Sequence, residues 1–250
     1  MVIGICPISC KVSPKLLFEV IERHNLKVIY VLQEDSPEHI AVLESIKADY
    51  IINYTDNKNK IANQCLAIEY ITQCDILVFL DADIYIEENT IDDLIKPILI
   101  GSKVSTGKRQ ILDPPILYDW SLQCKNLGIY GGLFAVDYKW FMSYAYSDFK
   151  KCHADDWSVY LSAKRTDTKI SYSTAVGYSY ENNVDEFLKR QYSWMRMYCP
   201  VLFFIVALYS ICNVYCLITN PILFLTVLKA IFRASIAKNI FWNNSIIRIK

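Results

Sequence analysis

The chain has 250 residues, a formal net charge of zero and nine cysteines. Its length suffices for one α/β domain with an appendage. The cysteines are odd in number and scattered, which excludes a disulfide framework and suits a reducing compartment. Residues 187–250 carry eight basic and no acidic side chains, which leaves 18 basic and 26 acidic ones, a net charge of −8, in residues 1–186. An acidic globular part with dispersed basic residues argues against nucleic acid as a partner.

Predicted strands and helices alternate along the first part of the chain. Runs of β-branched and aliphatic residues predict strands at Val2–Ile8, Leu26–Leu32, Tyr50–Ile52 and Ile76–Leu80. Apolar residues at helical spacing predict helices between them, at Pro14–His24, Ile40–Ile46 and Lys60–Thr72. This alternation is typical of an α/β, Rossmann-like fold with a mostly parallel sheet flanked by helices.

Two aspartates, Asp81 and Asp83, follow the last of these strands. Residues two apart on a strand point to the same side, so both carboxylates are expected to face the crevice at the carboxyl end of the sheet. Converging carboxylates repel each other unless a cation lies between them, and a hard divalent ion also binds phosphate oxygens. The spacing therefore predicts a metal–diphosphate site. The alternative is that the pair caps a helix over residues 84–100, which begins with acidic residues.

Further elements follow this pair. The pattern predicts a helix over Asp92–Leu99 and a strand at Lys103–Gly107, and Asp113-Pro114-Pro115 marks a loop. Two more helices and the strand Leu133–Val136 are expected after Gly128.

The basic C-terminal region is also strongly apolar. Val201–Ile218 holds 18 uncharged residues, close to the ~20 that span a bilayer as a helix, and Ile222–Phe232 is a shorter apolar stretch. The basic flanks favour a membrane hairpin or an interfacial helix pair, with a buried core helix as the alternative. We therefore expect a globular domain over residues 1–198 and a membrane-associated helical tail over 199–250. Because Met1-Val2-Ile3 runs directly into a strand, no signal peptide is expected and the globular part should face the cytoplasm.

Several motifs, taken in order, resemble the family-2 inverting glycosyltransferases of the GT-A fold. The resemblance covers roughly residues 1–198 and includes Val2–Pro7, Lys27–Asp35, Asp81-Ala82-Asp83, Gly131-Gly132 and Asp155-Asp156. It implies an enzyme that takes a sugar from a nucleotide-sugar donor, such as a UDP- or GDP-sugar, with Mn²⁺ or Mg²⁺ as cofactor. Together with the apolar tail, it suggests a lipid-linked or glycan acceptor.

The resemblance also implies roles for individual residues near the nucleotide. Asp35 matches an acidic residue near the base or ribose, and Lys60 and Asn63 fall where the family lines the nucleotide pocket. Asp83 would hold the metal ion, with Asp81 nearer the sugar or ribose and also available to the metal.

A second group of residues matches the acceptor side and the catalytic base. Gly131 and Gly132 resemble a glycine loop between the donor and acceptor sites; the alternative is a plain turn before a strand. Asp155 and Asp156 resemble the family's Glu-Asp pair at a helix start, which makes Asp156 the catalytic base. The alternative is a helix cap, and His153 is a weaker candidate for the base.

The segment 190–196 falls where processive family members carry Gln-x-x-Arg-Trp. The match is imperfect, because alignment on Trp194 puts Ser193 where arginine is expected, and this does not support processive synthesis. Arg190 or Arg196 could contact the diphosphate, and Trp194 could stack on a sugar; an amphipathic helix on the membrane surface is the alternative.

Two other functions are compatible with the predicted fold. A nucleotidyltransferase needs a glycine-rich phosphate loop after the first strand, and residues 5–13 contain no glycine. A catalytically degenerate, membrane-bound binding subunit would tolerate replacement of Asp83 or Asp156 without loss of function.

Overall fold

A computed structural model describes residues 1–9, 11–24, 26–57, 59–112, 129–152 and 154–180. All of these residues belong to one compact unit. The predictions for His153, Arg190, Trp194, Arg196, the boundary after residue 198 and the apolar tail lie outside the described ranges. Within those ranges, no helix has the length and apolar character needed to cross a bilayer.

Strands and helices alternate as expected over the first hundred residues. The strands in the described ranges are β1 (Val2–Ile8), β2 (Lys27–Leu32), β3 (Asp49–Ile52), β4 (Ile76–Leu80), β5 (Tyr85–Ile86), β6 (Val104–Leu112), β7 (Leu133–Asp137) and β8 (Ile170–Tyr180). The helices are α1 (Pro14–Ile21), α2 (Pro37–Ser45), α3 (Lys60–Glu69), α4 (Thr90–Leu99), α5 (Tyr138–Trp140), a π-helical segment (Phe141–Ala145), α6 (Tyr146–Phe149) and α7 (Asp155–Arg165).

The strands form a mixed sheet in the order β3-β2-β1-β4-β7-β6-β8-β5. Among the described strands, four pairings are parallel and three are antiparallel, because β7 runs against both β4 and β6, and β5 runs against β8. The expected α/β class is confirmed, but the sheet is less parallel than predicted. Only its first half follows the strand–helix–strand pattern from which the parallel direction was predicted.

The central strand β4 is buried on both sides of the sheet. Leu77 and Phe79 face one apolar cluster, in which the Phe79 ring stacks on Phe134 with ring centroids 4.4 Å apart. The alternate residues Val78 and Leu80 face the other cluster, and none of the five residues of β4 is more than 4% exposed. Burial on both faces explains the unbroken apolar run of this strand. It also fixes the position of Asp81, the next residue in the chain.

The helix predicted over Asp92–Leu99 is confirmed as α4, whereas the longer helix over residues 84–100 does not form. Tyr85 and Ile86 form β5, which pairs with Tyr178 and Gly177 of β8, and the helix α4 begins only at Thr90. The alternative in which Asp81 and Asp83 cap this helix is therefore wrong.

Candidate active site

The carboxyl ends of β1, β2 and β4 lie at one edge of the sheet, because these three strands are parallel. Asp81 directly follows β4 at this edge, as predicted. Since Leu80 pairs with Leu133 of the antiparallel strand β7, the residue after β4 lies beside the residue before β7, and the Asp81 backbone N–H donates to the Gly132 carbonyl at 3.1 Å.

Asp81 and Asp83 do not continue the strand. The chain turns here, and the Ile84 backbone N–H donates to the Asp81 carbonyl at 3.2 Å. The expectation that both carboxylates share a strand face is therefore wrong. Asp81 is half-buried, whereas Asp83 is exposed.

The Lys60 ammonium joins three separate segments at this edge. Its Nζ lies 2.6 Å from Asp81 Oδ1 and 2.8 Å from Asp155 Oδ2, and it donates to the Gly131 carbonyl at 3.1 Å. Burial lowers the pKa of Lys60, but the Asp155 and Asp81 carboxylates outweigh burial, so the pKa lies well above its ordinary value. Lys60 is the first residue of α3, whose start is fixed by Asn59, the N-cap that accepts a hydrogen bond from Ala62 N–H at 2.8 Å.

Asp155 is held by two residues of α3. Its buried Oδ2 accepts from Gln64 Nε2 at 2.8 Å as well as from Lys60. Lys60 and Gln64 are four residues apart, so they lie one above the other on the same helix face. Sequence reasoning missed Gln64, although this spacing was available as a signal. Asp155 thus belongs to an ion pair inside the protein. The catalytic roles expected for Asp155 and Asp156 remain predictions.

Asp156 lies in the first turn of α7, after the N-cap Ala154. Its Oδ1 accepts from the Trp157 backbone N–H at 2.7 Å. Burial, followed by the charge of Asp155, raises the pKa of Asp156 to about 7, against the opposing effects of Lys60 and the Trp157 N–H. The acidic first turn agrees with a helix start, and the raised pKa suits a group that takes up a proton near neutral pH.

Gly131 and Gly132 occupy a turn directly before β7, so the plain-turn interpretation is correct as local structure. The turn also approaches the acidic residues closely. A Cβ atom on Gly131 would lie 2.8 Å from Asp156 Oδ2, and one on Gly132 would lie 2.8 Å from the Tyr130 hydroxyl. A side chain at either position would therefore displace the Asp156 carboxylate or the Tyr130 hydroxyl, which glycine leaves in place. A role for these glycines in acceptor binding remains a prediction.

The other residues predicted to bind nucleotide differ in their surroundings. Asp35 is exposed in the segment between β2 and α2, at the same edge of the sheet. Asn63 is fully buried, and its Oδ1 accepts from Asn53 Nδ2 at 2.6 Å. The Asn63 side chain therefore contacts the protein interior, not an open pocket.

The described residues contain no group of three or more His, Cys, Asp or Glu side chains arranged to hold a metal ion. Asp81 and Asp83 nevertheless fit a divalent cation by their chemistry, because Mg²⁺-like ions are often bound by one or two carboxylates, with phosphate oxygens and water as the other ligands. Burial raises the pKa of Asp81 to about 6; Lys60 opposes this increase, and the Asp155 and Asp83 charges add to it. The surplus of carboxylates over ammonium groups favours an added cation.

The sequence matches no protein-family model, and no curated protein is significantly similar to it. The fold, however, is similar to those of several solved structures. A mannosyltransferase from Pyrobaculum calidifontis, in complex with GDP-Man and Mn²⁺, has a TM-score of 0.56 and 15% identity over 77% of this chain and 61% of that chain. Glucosyl-3-phosphoglycerate synthase from Mycobacterium tuberculosis, in complex with Mn²⁺, UDP and glucosyl-3-phosphoglycerate, has a TM-score of 0.54 and 12% identity over 75% and 74%.

A third similar structure, S. aureus TarS, has a TM-score of 0.53 and 13% identity over 78% of this chain and 63% of that chain. At such identities the similarity shows the fold alone. The chain therefore has the GT-A-type fold of these glycosyltransferases, as the order of its motifs predicted.

Proposed function

We propose that this protein is a metal-dependent, inverting glycosyltransferase of family 2, which moves a sugar from a nucleotide-sugar donor to an acceptor hydroxyl. The observation that carries the proposal is the contact of Lys60 with Asp81 and Asp155 beside Asp156 and Gly131, at the carboxyl edge of the sheet. Ligands bind at this edge in open α/β folds. Proteins of similar fold bind UDP or GDP-Man together with Mn²⁺, which supports a UDP- or GDP-sugar donor.

The donor side of the proposed site consists of acidic and basic residues. Asp81 and Asp83 would hold a Mn²⁺ or Mg²⁺ ion, which neutralises charge on the leaving nucleoside diphosphate. Lys60 supplies a second positive charge at the same place, and Asp35, which follows β2, is proposed to serve the ribose or base. Arg190 and Arg196 remain candidates for contacts with the diphosphate.

Asp156 is the proposed base. As the acceptor oxygen forms a bond to the anomeric carbon, Asp156 takes the hydroxyl proton, and the bond from that carbon to the diphosphate breaks with its electron pair on the leaving oxygen. A single displacement inverts the configuration of the anomeric carbon. Asp155 and Gln64 hold the start of α7, so the Asp156 carboxylate is positioned before substrate arrives.

The acceptor is proposed to be a lipid-linked saccharide or another glycan, with Trp194, Gly131 and Gly132 on its side of the site. The apolar, basic region after residue 198 supports this proposal, because it is suited to a membrane surface. Under the same proposal, the catalytic domain faces the cytoplasm, where nucleotide sugars are available.

Donor binding can be tested by thermal unfolding in detergent with UDP, GDP, CMP or dTDP, each with and without Mn²⁺. We expect one nucleoside diphosphate to stabilise the wild type only with Mn²⁺, by about 2.7 kcal/mol at 100 times its dissociation constant. Asp83→Asn should lose this stabilisation, because it removes a metal ligand. The matched control is Glu88→Gln, which neutralises another exposed acidic residue and should retain the effect. If no nucleotide binds under any condition, the binding-subunit alternative is favoured over the enzyme.

A further inference from the structure

The Lys60 ammonium has no hydrogen left for a ligand. A lysine side chain has three N–H donors, and the three acceptors around Nζ are Asp81 Oδ1, Asp155 Oδ2 and the Gly131 carbonyl. Lys60 can therefore contact a donor phosphate only if it gives up one of these partners.

Asp81 is the partner that a divalent cation would need. It is one of the two proposed metal ligands, yet its Oδ1 is already 2.6 Å from an ammonium group. Two positive charges at one carboxylate oxygen repel each other strongly in a partly buried site. The cation and the Lys60 ammonium therefore compete for Asp81.

The burial of the two carboxylates indicates which ion pair is exchanged. The Asp155 side chain is only 6% exposed and also accepts from Gln64, whereas the Asp81 side chain is 29% exposed. Separating Lys60 from Asp155 would leave a buried charge unpaired, which is costly. Separating it from Asp81 leaves a carboxylate that a cation can approach.

We propose that Lys60 occupies the cation's place at Asp81 in the ligand-free protein and moves to the donor diphosphate when the metal ion binds. Throughout this exchange the ammonium stays attached to Asp155 and the Gly131 carbonyl. The inference rests on the proposed function, since it takes Asp81 as a metal ligand. It deepens that function by coupling the two ligands: the cation binds weakly alone and tightly together with a nucleoside diphosphate.

The test is a Mn²⁺ titration followed by the electron paramagnetic resonance signal of free Mn²⁺, with no nucleotide and then with saturating UDP or GDP. Without nucleotide, Lys60→Met should bind Mn²⁺ about tenfold more tightly than wild type, a change within the usual range of coupling between sites. UDP or GDP should increase the Mn²⁺ affinity of the wild type, and this increase should be largely lost in Lys60→Met. Neither readout depends on activity.

Two further variants keep the result interpretable. Lys60→Gln removes the charge but retains an N–H donor for Asp155, so it serves if Lys60→Met does not fold, and it should show the same increase in Mn²⁺ affinity. Lys103→Met is the matched control, because it makes the same charge change at a pair with Asp137, 2.9 Å away and outside the site. It should leave Mn²⁺ affinity unchanged.

Each outcome has a distinct meaning. If the wild type binds Mn²⁺ with a nucleotide but both Lys60 variants, when folded, bind Mn²⁺ alone no more tightly than wild type, the exchange is overturned and the proposed function stands. If wild type and variants bind neither Mn²⁺ nor nucleotide, the proposed function fails and the exchange fails with it.

Discussion

Replacement of Asp156 by asparagine is expected to lower the rate of sugar transfer by about a thousandfold, the typical contribution of a general base. The carboxamide keeps an oxygen that can accept from the Trp157 N–H, now 2.7 Å from Asp156 Oδ1, so the start of α7 should be preserved. Mn²⁺-dependent nucleotide affinity should stay within a few-fold of wild type. Steady-state kinetics and nucleotide titrations on the same preparations measure the two effects separately.

The same variant should be more stable than wild type at alkaline pH in the absence of ligands. The pKa of Asp156 is raised from 3.8 to about 7. Between these values the folded protein binds more protons than the unfolded chain, so stability falls as pH rises towards 7 and the loss is complete above it. Asparagine does not titrate, and we expect a gain of about 1–2 kcal/mol at pH 8, less than the ~4 kcal/mol of the whole shift because the half-buried group is partly screened.

Asp167→Asn is the control for both effects. Asp167 is exposed beyond the end of α7 and has a positive φ of 48°, which asparagine tolerates, so activity and stability should not change.

In the wild type, kcat/KM should rise with pH and then level off. The midpoint should be no higher than about 7 in the presence of a divalent cation, since added positive charge favours the ionised base. An Asp156→Asn enzyme with near wild-type turnover would exclude Asp156 as the base.

Replacement of Gly131 by alanine is expected to reduce turnover by about a hundredfold, because displacing a catalytic group by ~1 Å can cost that much. The new Cβ would lie 2.8 Å from Asp156 Oδ2 and 3.0 Å from its Cγ. The end of a side chain can move, so the free energy of unfolding should change little. The displaced carboxylate, however, no longer meets the acceptor hydroxyl correctly. Kinetics and thermal unfolding together distinguish this effect from a loss of folded protein.

Gly4→Ala provides the opposite pattern. Its Cβ would meet Val28 Cγ2 at 2.9 Å and Leu26 Cδ1 at 3.2 Å, within the apolar core beside β1. Overpacking of this kind costs about 1–3 kcal/mol. The variant should therefore lose stability but retain its activity per folded molecule. Equal losses of activity in the two glycine variants would argue against a specific contact between Gly131 and the base.

Local sequence patterns were sufficient to predict the buried strands of the first half of the sheet. The continuous apolar runs of Val2–Ile8 and Ile76–Leu80 have the bounds observed in the structure. The short strand β5 was not predicted, because only its pairing with residues more than ninety positions later makes it a strand. The antiparallel direction of β7 likewise depends on a long-range pairing with β4.

The candidate site was predicted in its location but not in its internal contacts. The position of Asp81 follows from the end of a buried strand, whereas the turn that separates it from Asp83 has no signal in the two-residue periodicity. Lys60 was expected on the basis of a resemblance. Its contacts with Asp81 and Asp155 required the three-dimensional arrangement of segments up to 95 residues apart.

Turnover of the donor tests the proposed glycosyltransferase activity most directly. Purified protein in detergent is incubated with Mn²⁺ and a panel of UDP-, GDP- and dTDP-sugars, with lipid extract as the source of acceptor, and release of the nucleoside diphosphate is measured for wild type and Asp156→Asn. We predict release from at least one donor that depends on the divalent cation and is about a thousandfold slower in the variant. Failure to release a nucleoside diphosphate from any donor, or equal release by both proteins, would contradict a transferase that uses Asp156 as its base.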